Sequence, residues 1–213
     1  MEELIEELEE EQALRTPEIK NAFLAIDRKD FIPKEMQGFA YINEALPIGR
    51  DQTISQPSVV AFMLEELEPK EGQTILDIGS GSGWTSALLA AIVGNQGKVI
   101  SIELIPKLAA FGKKNIASYN FIKKGIVKCV QGNGAQGYPS YAPYERILIS
   151  AALPSKTVPP ELLDQLGPEG ILVTPIRNSI WKITKQHEDA FQWKEYPGYE
   201  FVPFQIPKTH EVL

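Results

Sequence analysis

The chain contains very little cysteine or histidine. Cys129 is the only cysteine among 213 residues, which excludes an intrachain disulfide and a cysteine-based metal cluster. The two histidines, His187 and His210, come late in the chain in polar segments that we expect to be exposed. Because no cluster of His, Cys or carboxylate residues has the spacing of metal ligands, we expect no metal. Low cysteine usage is typical of a reducing compartment, so we expect a cytoplasmic protein.

Positive charge and long apolar runs are also scarce. The 28 Asp and Glu residues outnumber the 21 Lys and Arg residues, and the formal net charge is -7. Since binding to a phosphate backbone depends on clustered Lys and Arg, we expect no nucleic-acid partner. The first residues, MEELIEELEEEQ, are acidic where a signal peptide would be basic and then apolar. No stretch approaches the roughly 18 apolar residues of a membrane span. We therefore expect no membrane association, and we expect a monomer.

The composition that remains is that of an ordinary globular protein, with 43% apolar and 23% charged residues. Its length favours a single domain over 1–213, made of an N-terminal helical elaboration over 1–70 and a sheet core over 71–213. Three helices are predicted before any strand: a charged helix from Glu2 to Gln12, one that begins at Pro17 and one that begins at Pro57. The apolar stripe of the first helix is narrow, so we expect that helix to rest on its neighbours without being buried.

From Thr74 onward, short apolar runs alternate with helical segments. The order is TILDIG, a helix from about Trp84 to Val93, VISIE, a helix through Ala109 to Tyr119, then GIVKCVQG and RILISAA. One more helix, Pro159 to Leu166, and three further strands, GILVTPI, IWKITKQ and EFVPFQI, are predicted after them. Strands joined by crossover helices form a parallel sheet that is covered on both faces. The pattern therefore predicts an α/β fold with a doubly wound, mostly parallel sheet, which binds ligands at the carboxyl ends of its strands.

Residues that could bind a ligand or take part in a reaction concentrate at three of these strand ends. The stretch Asp77 to Gly83 follows the first strand and carries glycines that let a ligand approach the backbone closely. Its G-x-G-x-G spacing departs from the G-x-G-x-x-G fingerprint of dinucleotide sites. Glu103 closes the second strand, where a carboxylate can accept from both hydroxyls of a ribose. Asn133 and Gly134 follow the third strand, either as a site or as a simple Asn-Gly turn. Together these positions indicate a nucleotide-like ligand.

The polar segment from Gln52 to Gln56 lies directly ahead of the third predicted helix. Ser55 in this segment has two interpretations: it caps the helix, or it takes part in chemistry. A serine hydrolase is disfavoured because a nucleophilic serine needs an oriented base, and the chain offers only His187 and His210. No G-x-S-x-G motif surrounds Ser55.

Several motifs taken together carry a resemblance to a known family. ALPIGRDQTISQP, LDIGSGSGW, VISIE, APYERILISAA, PPELLDQL and FVPF occur in this order and at spacings that resemble the protein-L-isoaspartate O-methyltransferases. The resemblance extends from Thr16 to about Gln205, and DQTISQP is its most specific part. It implies the S-adenosylmethionine-dependent methyltransferase (Rossmann-like) sheet with an N-terminal helical cover. It also implies S-adenosyl-L-methionine as methyl donor, and as partners proteins and peptides that contain L-isoaspartyl or D-aspartyl residues.

The same resemblance assigns roles to individual residues. Ser55 matches the active-site serine of the family, which makes it the expected catalytic residue. The expected donor-binding residues are Gln52, Thr53, Ile54, Asp77, Gly79, Ser80, Gly81, Ser82, Glu103, Leu104, Asn133 and Gly134.

The sequence departs from the family pattern at a few places. Asn133 stands where the family usually has the aspartate of Gly-Asp-Gly, Glu169 replaces the first residue of a Gly-Gly pair, and Arg177-Asn178 stands where a glycine-rich turn is common. The basic, tryptophan-containing ending of the family is missing after Phe204, which affects any contacts by Gln205 or His210. Two alternatives to the repair activity therefore stay open: a module that binds the donor with little or no turnover, and a methyltransferase that acts on a small molecule.

Overall fold

A computed structural model describes residues 1–187 and 190–205 of the chain. Its centre is a seven-stranded sheet in the order β5-β4-β3-β6-β7-β8-β9. The strands are β3 (Thr74–Ile78), β4 (Lys98–Glu103), β5 (Val127–Gln131), β6 (Tyr144–Ile149), β7 (Leu166–Ile176), β8 (Ser179–His187) and β9 (Ala190–Pro197). The first five of these strands pair in parallel, and the last two add antiparallel neighbours at one edge. This arrangement confirms the predicted α/β class and mostly parallel sheet.

The helices flank this sheet and cover its faces. They are α1 (Glu2–Glu10), α2 (Pro17–Ala25), α3 (Pro57–Leu67), α4 (Trp84–Val93), α5 (Pro106–Ser118) and the short α6 (Pro160–Asp164). Pro17, Pro57 and Pro106 each begin a helix, as expected from a residue whose missing N–H is not needed in the first turn. Among the described residues, no helix combines the length and apolar character that crossing a membrane requires.

The N-terminal helix is more deeply packed than its sequence suggests. Leu4, Ile5 and Leu8 are 2%, 2% and 0% exposed and belong to the main core cluster. The helix rests on its neighbours as predicted and its six glutamates are exposed, but its apolar stripe is buried, contrary to the prediction. Three apolar residues suffice because α1 turns its narrow stripe toward both α2 and α3.

The prediction that three helices precede any strand was also wrong. A two-stranded antiparallel hairpin, β1 (Leu46–Gly49) and β2 (Gln52–Ile54), comes before α3. Its turn residues Arg50 and Asp51 have φ values of 58° and 56°. Hairpin turns with positive φ at both central positions usually carry Asn-Gly, Asp-Gly or Gly-Gly, and Arg50-Asp51 matches none of these pairs. The turn therefore gave no recognisable signal in the sequence.

The C-terminal segment differs from its prediction as well. Glu200 to Gln205, the described part of EFVPFQI, forms no strand apart from an isolated bridge between Pro203 and Ala152. Because Pro203 lacks the N–H that a continued strand would need for its ladder, the segment forms one bridge and not a strand. The segment crosses the end of β6, where Ala152 N donates to Val202 O at 2.8 Å and Phe204 N donates to Ala152 O at 2.8 Å. The strand next to β8 at this edge of the sheet is instead β9, which was not predicted.

Candidate active site

A cleft opens at the carboxyl ends of β3, β4 and β6, between the sheet and the β1–β2 hairpin. It encloses about 810 Å³, including the space that opens to solvent. Eleven of the thirteen predicted site residues line it: Gln52, Thr53, Ile54, Ser55, Gly79, Ser80, Gly81, Ser82, Glu103, Leu104 and Gly134. Asp77 and Asn133 do not line the cleft, so a direct contact of either with a donor stays a prediction.

The glycine loop after β3 folds tightly against the neighbouring elements. Gly79 N and Ser80 N both donate to Ile102 O, at 2.9 and 3.1 Å, which fixes the loop to β4. Gly83 has a φ of 88°, and a Cβ atom at this position would lie 2.9 Å from the side chain of Ile116. Gly83 is thus required by packing of α5 on the loop, whereas Gly79 and Gly81 present backbone to the cleft.

Glu103 joins two elements of the cleft wall. Its side chain is 6% exposed, Oε2 accepts from Gly81 N at 2.8 Å, and Oε1 accepts from Ile105 N at 2.8 Å. The carboxylate therefore connects the glycine loop to the start of α5. An ionised carboxylate has about four acceptor sites, so two backbone donors leave capacity for two hydroxyl donors. This capacity and the position on the cleft wall fit the recognition of a ribose.

Asp77 is bound to the first turn of α4, directly after the glycine loop. It is completely buried, and its Oδ2 accepts from Thr85 Oγ1 at 2.8 Å and from Ser86 Oγ at 2.5 Å. Burial raises the pKa of Asp77 to about 6, against the opposing effect of the two hydroxyl donors. Oδ1 has no hydrogen-bond partner in the described part of the chain. Since Thr85 lines the cleft, Asp77 acts on the cleft through that residue.

Asn133 is engaged in a local turn. Its Oδ1 accepts from Ala135 N at 3.0 Å and caps the short 3₁₀ turn Gly134–Gln136. The neighbouring Gly134 lines the cleft, and a Cβ atom there would lie 2.2 Å from Ile78 Cγ2. Asn133 therefore forms the turn and Gly134 lines the cleft, while a role of the pair in ligand binding stays a prediction.

Ser55 is half-buried on the cleft wall at the entrance to α3. The N-cap of α3 is Gln56, and the helix has no side-chain hydrogen bond from its cap residue. The free N–H of Ser58 donates instead to Asn43 Oδ1 at 3.0 Å. Asn43 thus caps α3, a role that the sequence had suggested for Ser55. The remaining interpretation, a chemical role for the Ser55 hydroxyl, is therefore favoured.

Sequence reasoning missed several residues of the cleft wall. Ile48 comes from the unpredicted hairpin, and its Cδ1 atom lies 3.2 Å from the position of a Cβ on Gly81. The segment Val202 to Gln205 forms another part of the wall because it crosses the end of β6. Ser150 also lines the cleft, and its place as the one polar residue near the end of the predicted strand RILISAA was the signal that could have identified it.

The competing chemistries gain no support from the arrangement of the described residues. His187 ends β8 and is exposed, away from the cleft, and His210 lies outside the described residues. Ser55 therefore has no histidine beside it among residues 1–187 and 190–205. Over the same ranges, no group of three His, Cys, Asp or Glu side chains could hold a metal ion.

Comparison with known proteins gives a consistent assignment. The family model for protein-L-isoaspartate(D-aspartate) O-methyltransferase matches residues 1–208. A protein-L-isoaspartate O-methyltransferase from Methanopyrus kandleri is 38% identical over 98% of this chain and 95% of its own length. Another, from Thermococcus onnurineus, is 37% identical over 93% of this chain and 90% of its own length.

Solved structures agree with this assignment at the level of the fold. A Plasmodium falciparum protein-L-isoaspartate O-methyltransferase, in complex with S-adenosyl-L-homocysteine, superposes with a TM-score of 0.84 at 24% identity. That match covers 95% of this chain and 97% of the other chain. The fold, the cleft at the carboxyl ends of the strands and the family match over almost the whole chain lead to one conclusion: the chain belongs to the protein-L-isoaspartate(D-aspartate) O-methyltransferase family.

Proposed function

We propose that this cleft transfers a methyl group from S-adenosyl-L-methionine to the free carboxylate of L-isoaspartyl and D-aspartyl residues in damaged proteins. The family match over residues 1–208 is the observation that carries the substrate class. The location of the site is supported by Ser55 and Glu103, which line the same cleft. When bound, the donor supplies an electrophilic methyl group on a positively charged sulfur.

The donor side of the cleft fits a nucleoside with an amino-acid arm. Glu103 offers a buried carboxylate with unused acceptor capacity, as a ribose diol requires. The backbone of Gly79 and Gly81 is open to the cleft, so polar ends of the arm can approach main-chain groups directly. Ile105 and Leu108 supply apolar wall near Glu103, which suits the face of an aromatic base.

The acceptor side needs little chemical assistance. A peptide carboxylate has an ordinary pKa near 4 and is therefore ionised at neutral pH, so no general base is required to create the nucleophile. The task of the protein is then to hold the carboxylate oxygen in line with the methyl group, which can replace a large entropic barrier. The Ser55 hydroxyl can donate to that oxygen and orient it.

The apolar residues beside Ser55 favour the reaction as well. Ile54 is 5% exposed, and both Ile54 and Ala151 line the cleft. A carboxylate and a sulfonium carry opposite charges, and both charges disappear when they react. A site that excludes water destabilises the charged reactants relative to the less charged transition state, which speeds the reaction. We also propose that the enzyme acts in the cytoplasm, as a monomer, and without metal or nucleic acid. Its single cysteine supports the compartment and the lack of a metal, and its net charge of -7 supports the lack of a nucleic-acid partner.

The turn position of Asn133 bears on the alternative of a donor-binding module without turnover. That alternative depended partly on the absence of an aspartate charge at this position. Asn133 Oδ1 accepts from Ala135 N, and Asn133 itself does not line the cleft, whereas its neighbours Gly132 and Gly134 do. We therefore propose that the missing charge at Asn133 leaves turnover intact, and the assay below tests this alternative.

A paired peptide assay tests the proposal. Purified protein is incubated with methyl-labelled S-adenosyl-L-methionine and either an isoaspartyl peptide or the same peptide with a normal aspartyl residue. We expect label in the isoaspartyl peptide alone. Equal labelling of both peptides would contradict the substrate assignment, and donor binding without labelling of either would support the non-catalytic module. Preferential labelling of a metabolite extract would instead support a small-molecule methyltransferase.

A further inference from the structure

Arg28 is a buried cation close to the acceptor side of the cleft. It is 0% exposed, and none of the ion pairs formed by the described residues includes it. A buried charge without a carboxylate partner is costly unless other groups compensate it. Burial lowers the pKa of Arg28 to about 10, so the side chain stays charged at neutral pH. A residue retained at such a cost calls for an explanation in its contacts.

Backbone carbonyl groups compensate the Arg28 charge. Nη1 donates to Ala40 O at 2.9 Å and to Ile42 O at 3.2 Å, and Nη2 donates to Glu44 O at 2.7 Å and to Ser55 O at 3.2 Å. The first three acceptors belong to the loop that precedes the hairpin, and the fourth belongs to Ser55 itself. The planar fork of the guanidinium thus joins this loop to the backbone of Ser55 in a fixed geometry.

The guanidinium of Arg28 also packs on the ring of Trp84, a residue of the donor side of the cleft. Its guanidinium carbon lies 5.4 Å from the centroid of the Trp84 ring. Trp84 is the first residue of α4, directly after the glycine loop, and it lines the cleft. Phe23 of α2 packs against the same ring at 5.4 Å, edge to face, which restricts its position. Arg28 therefore lies between the Ser55 backbone and the helix that follows the donor loop.

We propose that Arg28 is a positioning residue that fixes Ser55 relative to the donor side of the cleft, an inference that rests on the proposed methyl transfer. Arg28 does not line the cleft, so it does not contact the donor or the acceptor directly. Its effect on turnover passes through the backbone of Ser55. The hydroxyl of Ser55 can orient a carboxylate only while that backbone is held in place.

The conservative variant Arg28→Lys tests this role. Lysine retains the charge but replaces the planar fork by a single ammonium, which cannot reach all four carbonyls with the same geometry. Displacement of a catalytic group by about 1 Å can reduce a rate by about 100-fold, so we expect kcat to fall by about 10- to 100-fold. We expect the Kd for S-adenosyl-L-homocysteine to stay within about twofold, since Glu103 and the glycine loop are intact.

Arg146 provides a matched control. It is 7% exposed, and it also donates to backbone carbonyls, Glu68 O at 3.1 Å and Glu145 O at 2.8 Å. It lies near the start of β6, at the opposite end of that strand from the cleft. Arg146→Lys therefore reproduces the loss of a buried guanidinium without touching the Ser55 segment. We expect it to lower thermal stability and to leave kcat within about twofold.

A double-mutant cycle with Ser55→Ala separates positioning from a general structural effect. Because Arg28 acts through Ser55, we expect Arg28→Lys to lower kcat by less than about threefold once the Ser55 hydroxyl is gone. Equal losses in the presence and absence of that hydroxyl would overturn the proposal. An unchanged kcat in Arg28→Lys alone would overturn it as well.

Amide hydrogen exchange gives a second readout that does not depend on turnover. We expect faster exchange in residues 53–58 of Arg28→Lys than in wild type, and no such change in Arg146→Lys. If wild-type protein labels no isoaspartyl peptide, the proposed function fails. The exchange measurement then decides the inference separately, because unchanged protection of residues 53–58 in Arg28→Lys would refute it.

Discussion

Replacing Glu103 by glutamine should weaken donor binding and loosen the cleft at the same time. The carboxylate accepts from two backbone donors, Gly81 N and Ile105 N, each at 2.8 Å. Glutamine has nearly the same shape but carries only one acceptor oxygen. In either orientation of its amide, one of the two backbone N–H groups faces another donor. The substitution therefore removes one hydrogen bond and the charge that strengthens the other.

The size of the effect follows from these contacts. Hydrogen bonds to charged groups contribute about 1.5–3 kcal/mol each, and a buried donor left without an acceptor costs about 1–3 kcal/mol. We expect the free energy of unfolding of Glu103→Gln to fall by about 1–3 kcal/mol for this reason. Loss of the charged acceptor for a ribose hydroxyl should raise the Kd for the donor by about 10- to 100-fold, given that 1.4 kcal/mol is tenfold.

Isothermal titration with S-adenosyl-L-homocysteine and urea unfolding measure the two effects. Glu145→Gln is the matched control, because Glu145 is exposed and its Oε2 accepts a single backbone hydrogen bond, from Thr74 N at 2.8 Å. This pair lies at the start of β3 and β6, at the opposite end of these strands from the cleft. We expect Glu145→Gln to bind as wild type does. A Kd for Glu103→Gln within twofold of wild type would refute the assignment of Glu103 to the donor.

Three further substitutions test other parts of the site. Ser55→Ala should lower kcat by about 10- to 100-fold while the Kd for S-adenosyl-L-homocysteine stays within about twofold, and an unchanged kcat would remove its role. Gly134→Ala should lower stability by about 1–3 kcal/mol in urea unfolding, because its Cβ would lie 2.2 Å from Ile78 Cγ2; wild-type stability would show that the loop yields easily. The raised pKa of Asp77, about 6, means that the folded state holds this proton more tightly than the unfolded chain does. The wild type should therefore lose stability relative to Asp77→Asn as pH rises from about 4 to 6, by an amount on the order of 3 kcal/mol. Parallel pH profiles of thermal unfolding for the two proteins would contradict this.

The elements that could be predicted from the sequence are those with strong local signals. Runs such as TILDIG and VISIE are apolar on both faces and are bounded by glycine or a charged residue, as buried parallel strands require. Both became central strands of the sheet. Because parallel strands place their carboxyl ends at one edge, Gly79, Glu103 and Gly134 were expected together and are found on one cleft wall.

Features that depend on distant partners could not be predicted in this way. The capping of α3 by Asn43 joins residues 15 positions apart, and no periodic pattern marks it. The burial of Leu8 depends on α2 and α3 meeting the same narrow stripe of α1. The hydrogen bonds of Asp77 to Ser86 and of Asn133 to Ala135 are likewise not marked in the sequence, and a donor contact by either residue stays a prediction.

The sequence by itself determined the class of the fold, the order of its central strands and helices, and the family, because periodicity and motifs are local properties of the chain. Only the tertiary structure decided which polar residues face the cleft and which support it from behind. A residue such as Arg28 has its role set by four carbonyl groups that the chain brings together only on folding. Backbone acceptors are present in every residue, so no sequence pattern identifies the ones that a buried guanidinium will meet.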